Sequence, residues 1–160
     1  MESQTILLAQ NDWLAITFRL GIASLFGASI GWDRETRNKA AGLRTHMLVS
    51  IGAAIFVLVP IQVGIAQITP DSLSRVIQGV ITGIGFLGAG EIFRESRPES
   101  NKVRIRGLTS AAAVWLSAAL GVVAACGLWQ IGLISVLMVF LILRGLKIMK
   151  KIKFLSRFLD

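Results

Sequence analysis

Residues 108–143 read LTSAAAVWLSAALGVVAACGLWQIGLISVLMVFLIL, and not one of them is charged. A helix needs roughly 20 apolar residues to cross a hydrocarbon core about 30 Å thick. This stretch is therefore long enough to cross nearly twice. Gly127, in Ala125-Cys126-Gly127-Leu128, is its one natural break. Glycine at a helix carboxyl end turns the chain in a left-handed conformation that a Cβ would oppose. The stretch reads as two helices, 108–126 and 128–146, joined by a tight hairpin. The second is short unless Arg144 extends its guanidinium to the surface.

Upstream, three more apolar runs span 14–32, 47–68 and 76–93. Of 160 residues, 54% are hydrophobic and 16% charged, where a soluble domain carries roughly a quarter charged. The fold class is an all-α membrane protein of five transmembrane helices. Residues 1–145 form the membrane domain, and 146–160 form a basic tail.

Basic residues fall in alternate connections. Arg34, Arg37, Lys39 and Arg44 follow the first run. Arg94, Arg97, Lys102, Arg104 and Arg106 follow the third, and Arg144, Lys147, Lys150, Lys151, Lys153 and Arg157 follow the fifth. The 69–74 loop and the 126–128 turn have none. The positive-inside rule then places the amino terminus outside and the carboxyl terminus in the cytoplasm. Trp13 and Trp129 fall at the outer interface and Trp32 at the inner one. The net charge of +8 is thus a topology signal, not a nucleic-acid footprint. The first 13 residues lack Lys and Arg, so the first run reads as a retained span, not a signal peptide. The single Cys126 excludes an intrachain disulfide and points to a packing role. In the tail, Ile148, Met149, Ile152, Leu155 and Leu159 share a helical stripe. It is either an amphipathic helix on anionic lipid or an ordinary basic stop-transfer segment.

An internal repeat is visible. Gly42-Leu43 before Ser50, Gly52, Ala53 and Ala54 matches Gly107-Leu108 before Trp115, Ser117, Ala118 and Ala119. Arg34-Glu35 matches Arg94-Glu95. Both halves start outside, so the repeat is parallel in topology, with the fifth helix outside it.

Charges near spans are costly and usually face the bundle interior. Arg19, Asp33, Arg75 and Glu91, with Trp115 at mid-span, are the candidates for an ion path or polar interface; interfacial snorkelling is the plain alternative. Arg19 and Asp33 stand about 21 Å apart along one helix at about 1.5 Å per residue, too far to pair. Gly42-Leu43-Arg44-Thr45 and Gly107-Leu108-Thr109-Ser110 each open a span. Helix amino termini carry free N–H groups and a positive dipole. Arg44, Thr45, Arg104, Arg106, Thr109 and Ser110 form a candidate anion site, or the hydroxyls simply cap. Gly27, Gly31, Gly79, Gly83, Gly85, Gly88, Ala89 and Gly90 supply small-xxx-small faces for close helix packing, or they loosen the third span around a cavity. Such faces make a homodimer plausible. His46 is the single histidine and reads as a structural hydrogen-bonding group. No metal site, cofactor motif or nucleophile–base pair is expected, and catalysis is not.

Three ordered motifs resemble the MgtC/SapB family of bacterial inner-membrane proteins. They are Ala41-Gly42-Leu43-Arg44-Thr45-His46-Met47-Leu48-Val49, Gly83-Ile84-Gly85-Phe86-Leu87-Gly88-Ala89-Gly90, and Arg106-Gly107-Leu108-Thr109-Ser110-Ala111-Ala112 with Trp115. The resemblance covers roughly 13–145. It implies a five-helix membrane domain, a link to magnesium limitation and, in pathogens, survival inside host cells. Members have been described as magnesium transporters; for some, regulation of the proton-translocating ATP synthase has been proposed. The family pattern maps onto Arg19, Arg34, Glu35, Gly42, Arg44, Thr45, Gly83, Gly85, Gly88, Gly90, Arg106, Gly107, Thr109 and Trp115. Longer members add a cytoplasmic ACT-like domain, and this sequence ends at Asp160. Two functions follow as expectations. One is ion homeostasis as a transporter-like or ion-binding protein, motivated by Arg19 and Glu91. The other is a non-transporting modulator of another membrane complex, motivated by the glycine faces.

Overall fold

The computed structural model describes residues 12–69, 71–96 and 103–145; the expected amphipathic tail, 146–160, lies outside them. The order is α1 (Trp13–Glu35), α2 (Leu43–Gln62), a one-turn α3 (Ile65–Ile68), α4 (Asp71–Glu91), β1 (Phe93–Ser96), β2 (Val103–Arg106), α5 (Leu108–Ala125) and α6 (Trp129–Phe140). A π-helical turn, Leu141–Gly145, continues α6.

Local chemistry sets the ends. The Asp12 carboxylate accepts the Ala15 N–H at 3.1 Å and starts α1, a side-chain cap for an otherwise orphaned donor. Helix α2 begins four residues before the expected 47. Its first N–H, at Leu43, donates to Glu35 Oε2 at 2.7 Å. The cap thus comes from the end of α1, not from Thr45, which is exposed. Helix α2 stops at Gln62, short of the expected 68. Gly64 there turns the chain at φ 76°, and α3 is the separated remnant. Helix α4 is continuous, so its glycines do not unwind it. At the far end of α5, Gly127 sits at φ 75°. The Leu128 and Gly127 N–H groups donate to the Val123 and Ala124 carbonyls, both at 3.0 Å, the paired bonds of a Schellman ending.

The hairpin is the element that the sequence reading did not anticipate. Phe93 pairs with Arg106 and Ser96 with Val103, antiparallel. Hydropathy marked these residues as a charged loop. The alternation Val103-Arg104-Ile105-Arg106 was the available signal. Gly107, at φ 94°, turns β2 into α5, and a Cβ there would run into the Glu91 backbone carbonyl.

Helices α1, α2 and α5 pack on one another at the centre; α4 lies on α5 and α2, and α6 on α1 and α5. The core is built from small and branched side chains: Ala23, Ile30, Ala54, Val57, Ile61, Leu120, Ala124 and Ala125. Between helices in lipid, association rests on close van der Waals contact, and here backbones approach. A methyl on Gly27 would lie 2.5 Å from the His46 carbonyl oxygen, and one on Gly31 would lie 2.7 Å from Leu43 Cα. Ser50 Oγ, on α2, donates to the Ala23 carbonyl of α1 at 2.7 Å.

Helices α1, α2, α4 and α5 are long and apolar enough to cross a membrane, and Trp129–Gly145 is a shorter apolar fifth. Cys126, at the turn beyond α5, is buried, and burial pushes its thiol pKa up. Less thiolate forms near neutral pH, and thiolate is the nucleophile. Maleimide labelling at pH 7.5 should run roughly tenfold slower in the folded chain than in dodecyl sulfate. Equal rates would refute the buried placement.

Candidate functional site

The expected ion-path residues do not converge. Arg19, in α1, is buried at 8% exposure, and its guanidinium donates to the Ala125 carbonyl at 2.5 Å. It thereby ties α1 to the carboxyl end of α5, where orphan carbonyls and the negative end of the dipole favour a cation. Asp33, at the other end of α1, is only 1% exposed, so it does not snorkel. Its carboxylate meets Arg37 Nε at 3.1 Å and Arg144 Nε at 2.9 Å. Arg144, with its side chain about half exposed, lies over the Phe140 ring at 5.1 Å and joins the end of α6 to α1. Arg75 is exposed, and Trp115 is 46% exposed. Glu91, at the end of α4, has one buried carboxylate oxygen without a hydrogen-bond partner. Arg19 and Asp33 thus tie the two ends of α1 to the ends of α5 and α6.

His46 is fully buried. Its Nδ1 lies 2.8 Å from the Gly42 carbonyl, an acceptor, so Nδ1 carries the proton. No group of three His, Cys, Asp or Glu suited to a metal occurs among the described residues.

The expected anion-site residues divide. Arg44 and Thr45 are exposed at the start of α2, and the Arg104 side chain lies outside the described set. Arg106, Thr109 and Ser110 meet in a cavity of about 810 Å³. Three residues that were not in the expected site join them: Arg34 at the end of α1, and Arg37 and Lys39 in the α1–α2 turn. Ile105, Leu108, Ile142 and Leu143 form an apolar wall. Arg34 is buried, and its Nη2 donates to Ser110 Oγ at 3.3 Å. The link between Arg34 on α1 and Ser110 on α5 crosses two segments far apart in sequence. The clue was the placement of both basic loops at one end of the bundle.

The glycines also divide. Gly27 and Gly31 are closed against α2, and Gly88 approaches Ala111 of α5 at 3.8 Å. A methyl on Gly79, Gly83, Gly85 or Gly90 would meet nothing within 4 Å, and Ala89 is exposed. No residue of α4 is buried. Packing within the chain therefore explains the α1 glycines, not most of those on α4. An apolar groove between α2 and α4, lined by Gly52, Phe56, Gly79 and Gly83 among others, runs along the open side.

A sequence profile described as the MgtC family matches residues 20–152. The chain belongs to the MgtC family. The match takes in every candidate residue above except Arg19, which lies just before it. Among curated relatives, protein SrpB of Synechococcus elongatus is 47% identical over 158 residues, 95% of this chain and 86% of SrpB. Protein MgtC of Salmonella typhimurium is 45% identical over 108 residues, 68% of this chain and 41% of that protein. YhiD of Escherichia coli (strain K12) is 38% identical over 130 residues, 78% of this chain and 57% of YhiD. The chain thus spans most of SrpB but only about half the length of the other two. No solved structure matches it. With family membership and four helices of spanning length, this MgtC-family chain is a helical membrane protein.

Proposed function

We propose that the chain is a multi-pass inner-membrane protein that serves magnesium homeostasis without conducting the ion, by packing α4 against another membrane protein. It performs no chemical catalysis. The supporting observation is α4 itself: a helix of spanning length with no buried residue and four glycines open to the outside. In lipid such a surface permits close backbone approach by a second helix. The positive-inside count places the basic end in the cytoplasm, and the family resemblance makes the proton-translocating ATP synthase the first partner to test. The electrostatics favour this reading over a cation path, because the buried Asp33 carboxylate is already ion-paired to two arginines.

A transport reading has one point in its favour, the name of the Escherichia coli relative, "Putative magnesium transporter YhiD". Two measurements separate the readings. A photo-crosslinker placed at Gly83 in native membranes should capture one dominant heterologous protein, and at Leu133 on α6 it should not. Capture of only a second copy would replace the modulator with a homodimer. Proteoliposomes holding the purified chain should show no magnesium flux above protein-free vesicles; robust flux would sink the proposal.

A further inference from the structure

We propose that the cavity between the α1–α2 turn and the start of α5 binds a phosphate group. Three independent features carry this. The first is charge. Arg34, Arg37, Lys39 and Arg106 line the cavity, and no carboxylate is among its lining residues. Asp33 pairs with one of the four, Arg37, and with Arg144 from outside the cavity lining, so the cluster keeps a net positive charge. Gathered cations repel one another, and an anion between them relieves that repulsion.

The second is the end of α5. Leu108, Thr109 and Ser110 are at once its first turn and part of the cavity wall. Their N–H groups have no acceptor within the helix, and Gly107 ahead of them makes no side-chain cap. The positive end of an 18-residue helix therefore faces the cavity, as at many anion sites. The Thr109 and Ser110 hydroxyls add donors.

The third is an orphaned donor. Arg34 is 4% exposed, and its buried Nε has no hydrogen-bond partner, although Nη2 reaches Ser110. A buried charged donor left without an acceptor is costly. A phosphate oxygen is an acceptor of matching charge, and guanidinium forks suit phosphate geometry. With about 810 Å³ available, the group can carry an organic substituent, and Ile105, Leu108 and Leu143 offer an apolar surface for it.

Two sources share this chemistry: the headgroup of an anionic phospholipid, and a free phosphate. The full chain in phosphatidylcholine nanodiscs is titrated with inorganic phosphate by calorimetry. In parallel, phosphatidylglycerol is added and its retention over phosphatidylcholine is read by native mass spectrometry. Saturable heat identifies the free form, and selective retention identifies the lipid. In either arm Arg106→Gln should weaken binding roughly tenfold, the loss expected for a charge-assisted contact. Arg34→Lys, which keeps charge but loses the fork, should weaken it too. If Arg34→Lys does not fold, the exposed Arg106→Gln variant carries the test alone. Absence of both phosphate binding and lipid selectivity in the unmodified chain overturns the proposal. So does binding that is unchanged in Arg106→Gln.

Discussion

Valine at Gly121 will destabilise the bundle, and valine at Gly83 will leave its stability unchanged. Gly121, on α5, is buried, and a Cβ there would run into the Ser50 carbonyl oxygen of α2, with Ser50 Cα at 3.0 Å. The obstacle is backbone, so no rotamer change relieves it. Nor can α2 simply withdraw at Ser50, because its hydroxyl is bonded to Ala23 of α1. Overpacking of this kind costs about 3 kcal/mol, and an apparent melting temperature should fall by roughly 10 °C. Gly83 on α4 has nothing within 4 Å of an added methyl. Valine there meets no neighbour and is a better helix former than glycine, so the fold should lose nothing measurable. Size-exclusion profiles and thermal scans in detergent read both variants. Monodisperse Gly121→Val with wild-type melting would mean that α2 and α5 do not touch as described. If α4 engages a partner, Gly83→Val should retain the fold and lose crosslinking to that partner.

Asp33→Asn will release the end of α6 from α1. The carboxylate is buried between Arg37 and Arg144, and asparagine keeps the shape but removes the charge. Breaking a fully buried pair costs about 3–5 kcal/mol. Here the arginine side chains are 28% and 54% exposed and can turn to water, so about 2 kcal/mol is expected. The effect should be local. Amide exchange should accelerate in 141–145 and stay unchanged in the α1–α2 contact around Gly27. The double variant Asp33→Asn with Arg144→Met should cost less than the sum of its parts by about 1 kcal/mol, the signature of coupled residues. Additive losses, or unchanged exchange in 141–145, would mean that the ion pair does not hold α6.

The positions of the apolar helices were legible because hydropathy is a property of the segment itself. A run of roughly 20 apolar residues without a charge reads as buried or lipid-facing, whatever it packs against. Gly127 as the break in the longest run was legible for the same reason, since a left-handed turn is a local demand. Helix ends were read less well. The start of α2 depends on Glu35, eight residues away in another helix, and no cap rule that looks only at neighbouring residues finds it. The hairpin was obscured because its charged residues dominated the reading of a loop.

The sequence by itself determined that this is a membrane protein with five apolar helices, a basic end and a family signature. It also named the residues with unusual demands: the buried charges and the glycines. Tertiary structure alone decided what each demand is for. Gly27 and Gly83 look alike in their spans, yet one is closed by α2 and the other faces outward. Arg19 finds its acceptor at the carboxyl end of α5. Arg106, Thr109 and Ser110 gain Arg34, Arg37 and Lys39 as neighbours only when α1 and α5 are side by side. A residue's cost is intrinsic, but its remedy is supplied by whichever helix lies opposite, and that choice is made by packing over the whole bundle.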